Sequence, residues 1–236
     1  MERVLTQLVD RLKKAYGDRL KSVVLYGSGA SGDHHGEYSD LNVVCVLADV
    51  TPRELGESTA IVRWWREKGN PSPLLLTEEE VRDSTDCFPI EFHDIRERHR
   101  VLYGDDFTVG LEIDTRFYRA QVEHDLRAKL LRLRQKAAGI LGDKSLLRSL
   151  LAESVSTFCV LFRHALLLHG AEAQFRKREV IGQASERFGI DAAPFVKLLD
   201  LRENKIKPGD LEPGPLLAEY MKQIQTVIDA VDRLAK

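Results

Sequence analysis

The chain is poor in cysteine, lacks a long apolar run and carries no large excess of charge of either sign. Its three cysteines, Cys45, Cys87 and Cys159, include no CxxC pair, so their spacing offers neither a disulfide framework nor a zinc site. No hydrophobic stretch approaches the ~18–20 residues that a membrane span requires. The charged, amphipathic start MERVLTQLVDRLKK does not read as a secretory signal. A soluble, cytoplasmic protein with no membrane partner is therefore the expectation. Lys+Arg number 35 against 37 Asp+Glu, a net −2, which excludes a strongly basic nucleic-acid coat and a supercharged acidic tail. Internal repeats and low-complexity segments are also missing.

What is present is 236 residues, 43% of them hydrophobic, enough for one large domain or two small ones with buried cores. The charge is unevenly divided. Residues 1–110 hold 14 Lys+Arg and 20 Asp+Glu, and residues 111–236 hold 21 and 17, giving −6 and +4. Texture divides at the same place. Apolar residues at helical spacing predict a helix over 2–16, and SVVLY (Ser22–Tyr26) reads as a short buried strand entering a glycine-rich loop. LNVVCVL (Leu41–Leu47), SPLLLT (Ser72–Thr77) and the alternating FPIEFHDI (Phe88–Ile95) read as further strands. A helix opens at Pro52 and carries Trp64 and Trp65, a pair expected as core plus rim. A short acidic helix or turn covers Glu78–Asp83, and Tyr103-Gly104 reads as a turn. Beyond residue 110 only helices are expected, over 115–137, 144–169, 177–188, 194–202 and 211–234. The fold class is an α/β domain with a mixed sheet (1–110) followed by an all-α helical bundle (111–236), with the boundary near 107–114.

The stretch LYGSGASGDHHGEYSDLNVV, Leu25–Val44, carries the chemistry. Gly27 lets backbone approach a ligand closely, and the Ser28 hydroxyl with nearby amides can cradle phosphate oxygens. Asp40 and residue 42 are two apart on a strand, so they share a face. Carboxylates there would suit Mg²⁺, and a third from a neighbouring strand would complete a two-metal site.

This arrangement resembles the nucleotidyltransferase superfamily related to DNA polymerase β, whose pattern is Gly-Ser, a loop of about ten residues, then Asp-x-Asp/Glu. In layout it looks most like the antibiotic adenylyltransferases of kanamycin and streptomycin type. The resemblance implies transfer of a nucleoside monophosphate from ATP or another nucleoside triphosphate to a hydroxyl of a small acceptor, with release of pyrophosphate. It assigns Gly27 and Ser28 to the triphosphate, Asp40 to the metal, and an acidic residue of the Phe88–Ile95 strand, Glu91, to metal ligation or general-base work. Asp94, opposite in parity to Glu91 on a strand, would face away. Asn42 departs from the pattern. It offers a neutral carbonyl in place of a charge, which weakens a two-metal centre toward a single Mg²⁺ arriving with the nucleotide. That departure motivates the alternative of an impaired enzyme that binds nucleotide or a protein partner without turnover.

The remaining candidates have plainer readings beside them. His34, His35, Asp33 and Glu37 of the loop are expected to be solvated. Arg116, Arg119, Arg127, Arg132 and Arg134 could meet phosphates across an interdomain cleft, though Glu123, four residues from Arg119 and Arg127, reads first as an ion-pair partner. Arg163 and His169 in FRHALLLH form an Arg-x5-His arrangement that resembles the loose motif of HEPN-type ribonucleases, a remote RNA-acting reading. Six residues put the two about 240° apart around a helix, and nucleic acid is not an expected partner. An apolar stripe on the last helix, from Leu217 to Leu234, is compatible with a homodimer.

Overall fold

The computed structural model describes residues 1–30 and 40–234. The chain forms two compact units, Met1–Arg116 and Phe117–Lys236.

In the first unit, helix α1 (Glu2–Tyr16) is amphipathic and buries Leu5, Leu8, Leu12 and Tyr16. Strands β1 (Leu20–Tyr26), β2 (Asn42–Leu47), β3 (Leu74–Thr77) and β4 (His99–Gly104) form one mixed sheet in the order β3-β2-β1-β4. β1 is antiparallel to both β2 and β4, whereas β2 and β3 run parallel. A parallel pair needs a long crossover. Helix α2 (Pro52–Glu67) supplies it, started by a capping box between Thr51 and Glu54 with proline in its first turn. β2 is covered on both faces, which explains its unbroken apolar run. Val43, Cys45 and Leu47 pack with α1, Ile61 and Trp65, while Val44 and Val46 pack with Val81, Phe92, Ile95 and Leu111. Trp65 is fully buried, and Trp64 lies at the margin beneath the Arg11 guanidinium, 4.4 Å from its ring centre.

Two sequence expectations fail in this unit, and for one reason. Phe88–Ile95 is not a strand: Pro89–Glu97 forms helix α4, after the short helix α3 (Glu78–Asp83). Pro89 presets φ for a first helical turn, and Pro89, Phe92 and Ile95, three apart, line the buried side together with Ile90. An apolar run this short satisfies both periods, so pattern alone cannot choose between them. The strand lies just beyond, over His99–Gly104, and it includes the Tyr103-Gly104 pair read as a turn.

The second unit is all helix among the described residues. Its helices are α5 (Tyr118–Ala138), α6 (Lys144–Leu168), α7 (Lys177–Phe188), α8 (Ala193–Arg202) and α9 (Pro213–Asp232). Arg116 precedes α5 and pairs with Asp114 instead of joining the helix face. α6, capped by the Asp143 carboxylate accepting from the Ser145 and Leu146 amides, packs against the other four helices. By length and composition it could cross a membrane, with a mean hydropathy of 1.4 over its most apolar 18 residues, contrary to the sequence expectation. Two-thirds of that window (67%) is buried, as in a core helix. The α9 stripe is buried as well: Leu217, Tyr220, Ile224, Val227 and Val231 point into the core of their own unit. Tyr220 meets Phe158 edge-on at 5.7 Å and Phe195 at 4.9 Å.

Candidate functional site

The site is built at the carboxyl end of β1. Tyr26 is the last extended residue, and Gly27 then takes φ +72° and starts a tight turn through Gly29, closed by the Ala30 amide donating to the Gly27 carbonyl at 3.1 Å. A side chain at Gly27 would be strained at that φ, and its Cβ would lie 3.5 Å from the Asn42 amide nitrogen. Gly29 is buried beneath the returning chain, and a Cβ there would come within 2.9 Å of Leu41. Gly27 thus permits the turn by its φ, and Gly29 by leaving room for the Leu41 side chain. Ser28 occupies the middle of the turn. Its side chain, and Asp33, His34, His35 and Glu37 of the loop, lie outside the described residues.

Asp40 leads into β2 and is exposed, and Asn42 is the first residue of that strand, paired with Tyr26. The entry to β2 is held by Asn70, a buried residue whose side-chain carbonyl accepts from the Leu41 amide at 3.1 Å. This contact spans 29 residues and fixes the segment on which Asp40 sits. Sequence pattern gives no hint of it.

Glu91 belongs to α4, not to a neighbouring strand, and its side chain is exposed in the first turn of that helix. The parity argument that separated it from Asp94 therefore lapses. Three residues apart on a helix, the two lie on adjoining positions of one surface. Glu91 does come near the motif: burial foremost, and then the Glu91 charge, push the Tyr26 hydroxyl above its ordinary pKa. Tyr26 is the cross-strand neighbour of Asn42, so α4 brings a carboxylate to the same end of the sheet by a route different from the expected one.

On the other side of Tyr26 the sheet adds a histidine that the sequence did not mark. His99 pairs with Tyr26, and its Nε2 lies 3.0 Å from the Asp106 carboxylate and 3.2 Å from the Thr108 hydroxyl. Thr108 donates in turn to Asp106, through its hydroxyl at 2.7 Å and its amide at 2.9 Å. Burial alone would raise the Asp106 carboxyl, but the hydrogen bonds from Thr108 and His99 outweigh it and hold the group below the usual range. The cluster ties residues 106–108 to β4, and His99, Tyr26 and Asn42 form one row across three strands.

Several other titratable groups serve packing or ion pairing. Cys45 and Cys159 are buried, and burial raises both thiols to about 12, so neither is a nucleophile at neutral pH. Glu123 of α5 accepts from Arg119 and Arg127, each at 2.8 Å, the ion-pair ladder its spacing suggested. Arg163 is buried over the Phe175 ring and 3.1 Å from His164, with burial lowering its pKa to about 10. His169 instead stands edge-on to Phe188. The two residues of the ribonuclease-like motif thus have separate surroundings.

No protein-family model matches the chain, and no curated protein matches it by sequence. Among solved structures it is similar to the spectinomycin adenyltransferase AAD(9) of Enterococcus faecialis, determined with ATP and spectinomycin. The TM-score is 0.64 over 98% of this chain and 99% of that one, at 12% identity. A toxin–antitoxin structure with AMP-PNP matches over 58% of this chain and 95% of that one, at 15% identity and a TM-score of 0.33. From end to end, the chain has the nucleotidyltransferase fold, a mixed four-stranded sheet followed by helices.

Proposed function

We propose that the protein is a nucleotidyltransferase that moves a nucleoside monophosphate from ATP, or another nucleoside triphosphate, to a hydroxyl of a small acceptor, releasing pyrophosphate. The observation that carries this reading is the left-handed Gly27 turn under Asn42, with Asp40 at the entry of the next strand, in a fold similar to that of an ATP-using adenyltransferase. A turn without Cβ atoms at Gly27 and Gly29 exposes backbone amides to phosphate oxygens. Soluble and cytoplasmic placement fits such a role.

The donor set fits Mg²⁺ better than a softer ion, because every candidate ligand is a hard oxygen: the Asp40 and Glu91 carboxylates and the Asn42 carbonyl. When bound with a triphosphate, Mg²⁺ neutralises charge on the phosphates. With only one charge in the Asp40–Asn42 pair, the chain suits one nucleotide-borne ion rather than a preformed pair. In this reading the residues of the chain do four things. Gly27 and Ser28 hold the phosphate tail, Asp40 is the principal ligand, and Asn42 orients without adding charge. Glu91, on a rigid helix, takes the proton from the acceptor hydroxyl as its oxygen attacks the α-phosphorus and pyrophosphate departs.

Calorimetric titration of ATP with and without Mg²⁺ tests the assignment. The native protein should bind ATP in a Mg²⁺-dependent manner, and Asp40→Ala should abolish that dependence. Asn42→Asp should tighten MgATP binding by roughly tenfold, about the worth of one added charge-assisted contact. Native protein that binds no nucleoside triphosphate would refute the reading.

A second reading, binding without turnover, draws on Asn42 alone. Release of pyrophosphate by Asn42→Asp but not by the native chain would favour it.

A further inference from the structure

At the opposite end of β1 from Gly27 the face of the sheet that carries Val46 holds a cavity. Ser22 lies five positions before Gly27, roughly 16 Å along a strand. A cavity of about 440 Å³ opens there, within the 300–1,000 Å³ usual for small-molecule sites. Its floor is made by Ser22, Val46, Val81 and Leu111, all buried, and Phe107 forms a wall. The position follows from topology. β2, β3 and β4 all end here, and open α/β sheets tend to take ligands outside the carboxyl ends of their strands.

Two features are out of place for a merely structural hollow. The Ser22 side chain is 2% exposed, shares the inner face with its strand partner Val46, and has no hydrogen-bond partner for its hydroxyl among the described residues. Buried hydroxyls normally have one. The rim, moreover, carries charge of both signs, with Lys21 and Arg82 against Glu78, Asp105 and Glu112, and none of these five forms an ion pair among the described residues. Arg82 does not even pair with Glu78, one helical turn away on α3.

We propose that this cavity is a binding site for a small zwitterion with an apolar body, the size of one or two amino acids. Its apolar part packs between Phe107 and the Val46–Val81–Leu111 floor, and a polar group reaches toward Ser22. Its carboxylate faces the Arg82 side of the rim and its ammonium the carboxylates. A single-charge ligand would leave one sign of the rim unanswered. The outer wall is the strap that the His99–Asp106–Thr108 cluster pins to β4, so the site is built on ordered elements. The site is independent of nucleotide chemistry and stands whether or not the chain transfers nucleotides.

The test is titration of the full-length protein with L-phenylalanine and the dipeptide Phe-Leu by calorimetry, in parallel with phenylalanine methyl ester and N-acetylphenylalanine, which each lack one charge. The expected result is saturable millimolar or tighter binding of a zwitterion, weakened at least tenfold in both single-charge analogues. Arg82→Gln, an exposed change that should not disturb folding, should weaken the zwitterion by a similar factor and leave the methyl ester unaffected. Ser22→Ala, which removes the orphan hydroxyl and adds no bulk, should fold and bind more weakly. Absence of saturable zwitterion binding would overturn the proposal, and so would binding that both variants leave unchanged.

Discussion

Gly27 illustrates how one residue can join fold and site. Its φ of +72° is open to glycine at no cost but costs other L-residues about 1–2 kcal/mol. A Cβ there would meet the Asn42 amide at 3.5 Å, an ordinary contact, so the backbone angle and not crowding calls for glycine. Gly27→Ala should therefore lower stability by about 1 kcal/mol in chemical denaturation, and weaken nucleotide binding by more than that loss explains. Equal losses in both would mean that the turn is only a turn. Asn42 is the contrasting case, a residue whose backbone role as the first rung of β2 is indifferent to its chemistry. Asp and Asn serve that rung equally, so exchanging them tests the proposed Mg²⁺ role without disturbing the fold.

At the scale of elements, the join of β1 with β4 is tightly constrained at Gly104. Gly104 pairs with Ser22 at φ +75°, and a Cβ there would lie 1.9 Å from the Lys21 carbonyl oxygen, which belongs to backbone and cannot swing away. Gly104→Ala should cost about 3 kcal/mol or more, read as a lowered denaturation midpoint, because two strands must part to admit it. The bundle has an electrostatic counterpart. Arg178 of α7 reaches Asp200 at 2.6 Å and Glu203 at 2.8 Å, and Lys205 meets Glu203 at 2.6 Å. Burial would raise the Glu203 carboxyl, yet Arg178 and Lys205 together draw it down to about 2. A depressed carboxylate stabilises the fold fully above its unfolded pKa near 4.5, and that contribution is lost as pH falls toward 2. Allowing for solvent screening at this partly open site, it is worth about 1 kcal/mol. Glu203→Gln should remove it at pH 7 and flatten the stability profile between pH 4.5 and 2, measured by denaturant unfolding at several pH values.

At the scale of the whole molecule, each unit holds its own core: one built around the sheet, the other around α6. Expressed separately, residues 1–116 and 117–236 should each unfold in one cooperative transition, the second with a wholly helical far-ultraviolet circular dichroism spectrum. A fragment that stays unfolded would show that its core needs the other unit. What the chain alone determines is whatever short-range period and chemistry decide. The amphipathic stripes of α1 and α9, the apolar run of β2, the glycine turn and Asp40 can all be read from neighbours a few residues apart. What only tertiary structure decides is where distant segments compete. Phe88–Ile95 suits a helix or a strand by itself, and becomes helix α4 because the following residues, His99–Gly104, take the open edge of β1. Glu91 comes near Tyr26 on that helix, while His99 and Asn70 join the candidate site through pairings with Tyr26 and Leu41. Those partners lie 73 and 29 residues away in the chain, and a local pattern has no means of recording contacts formed across such separations.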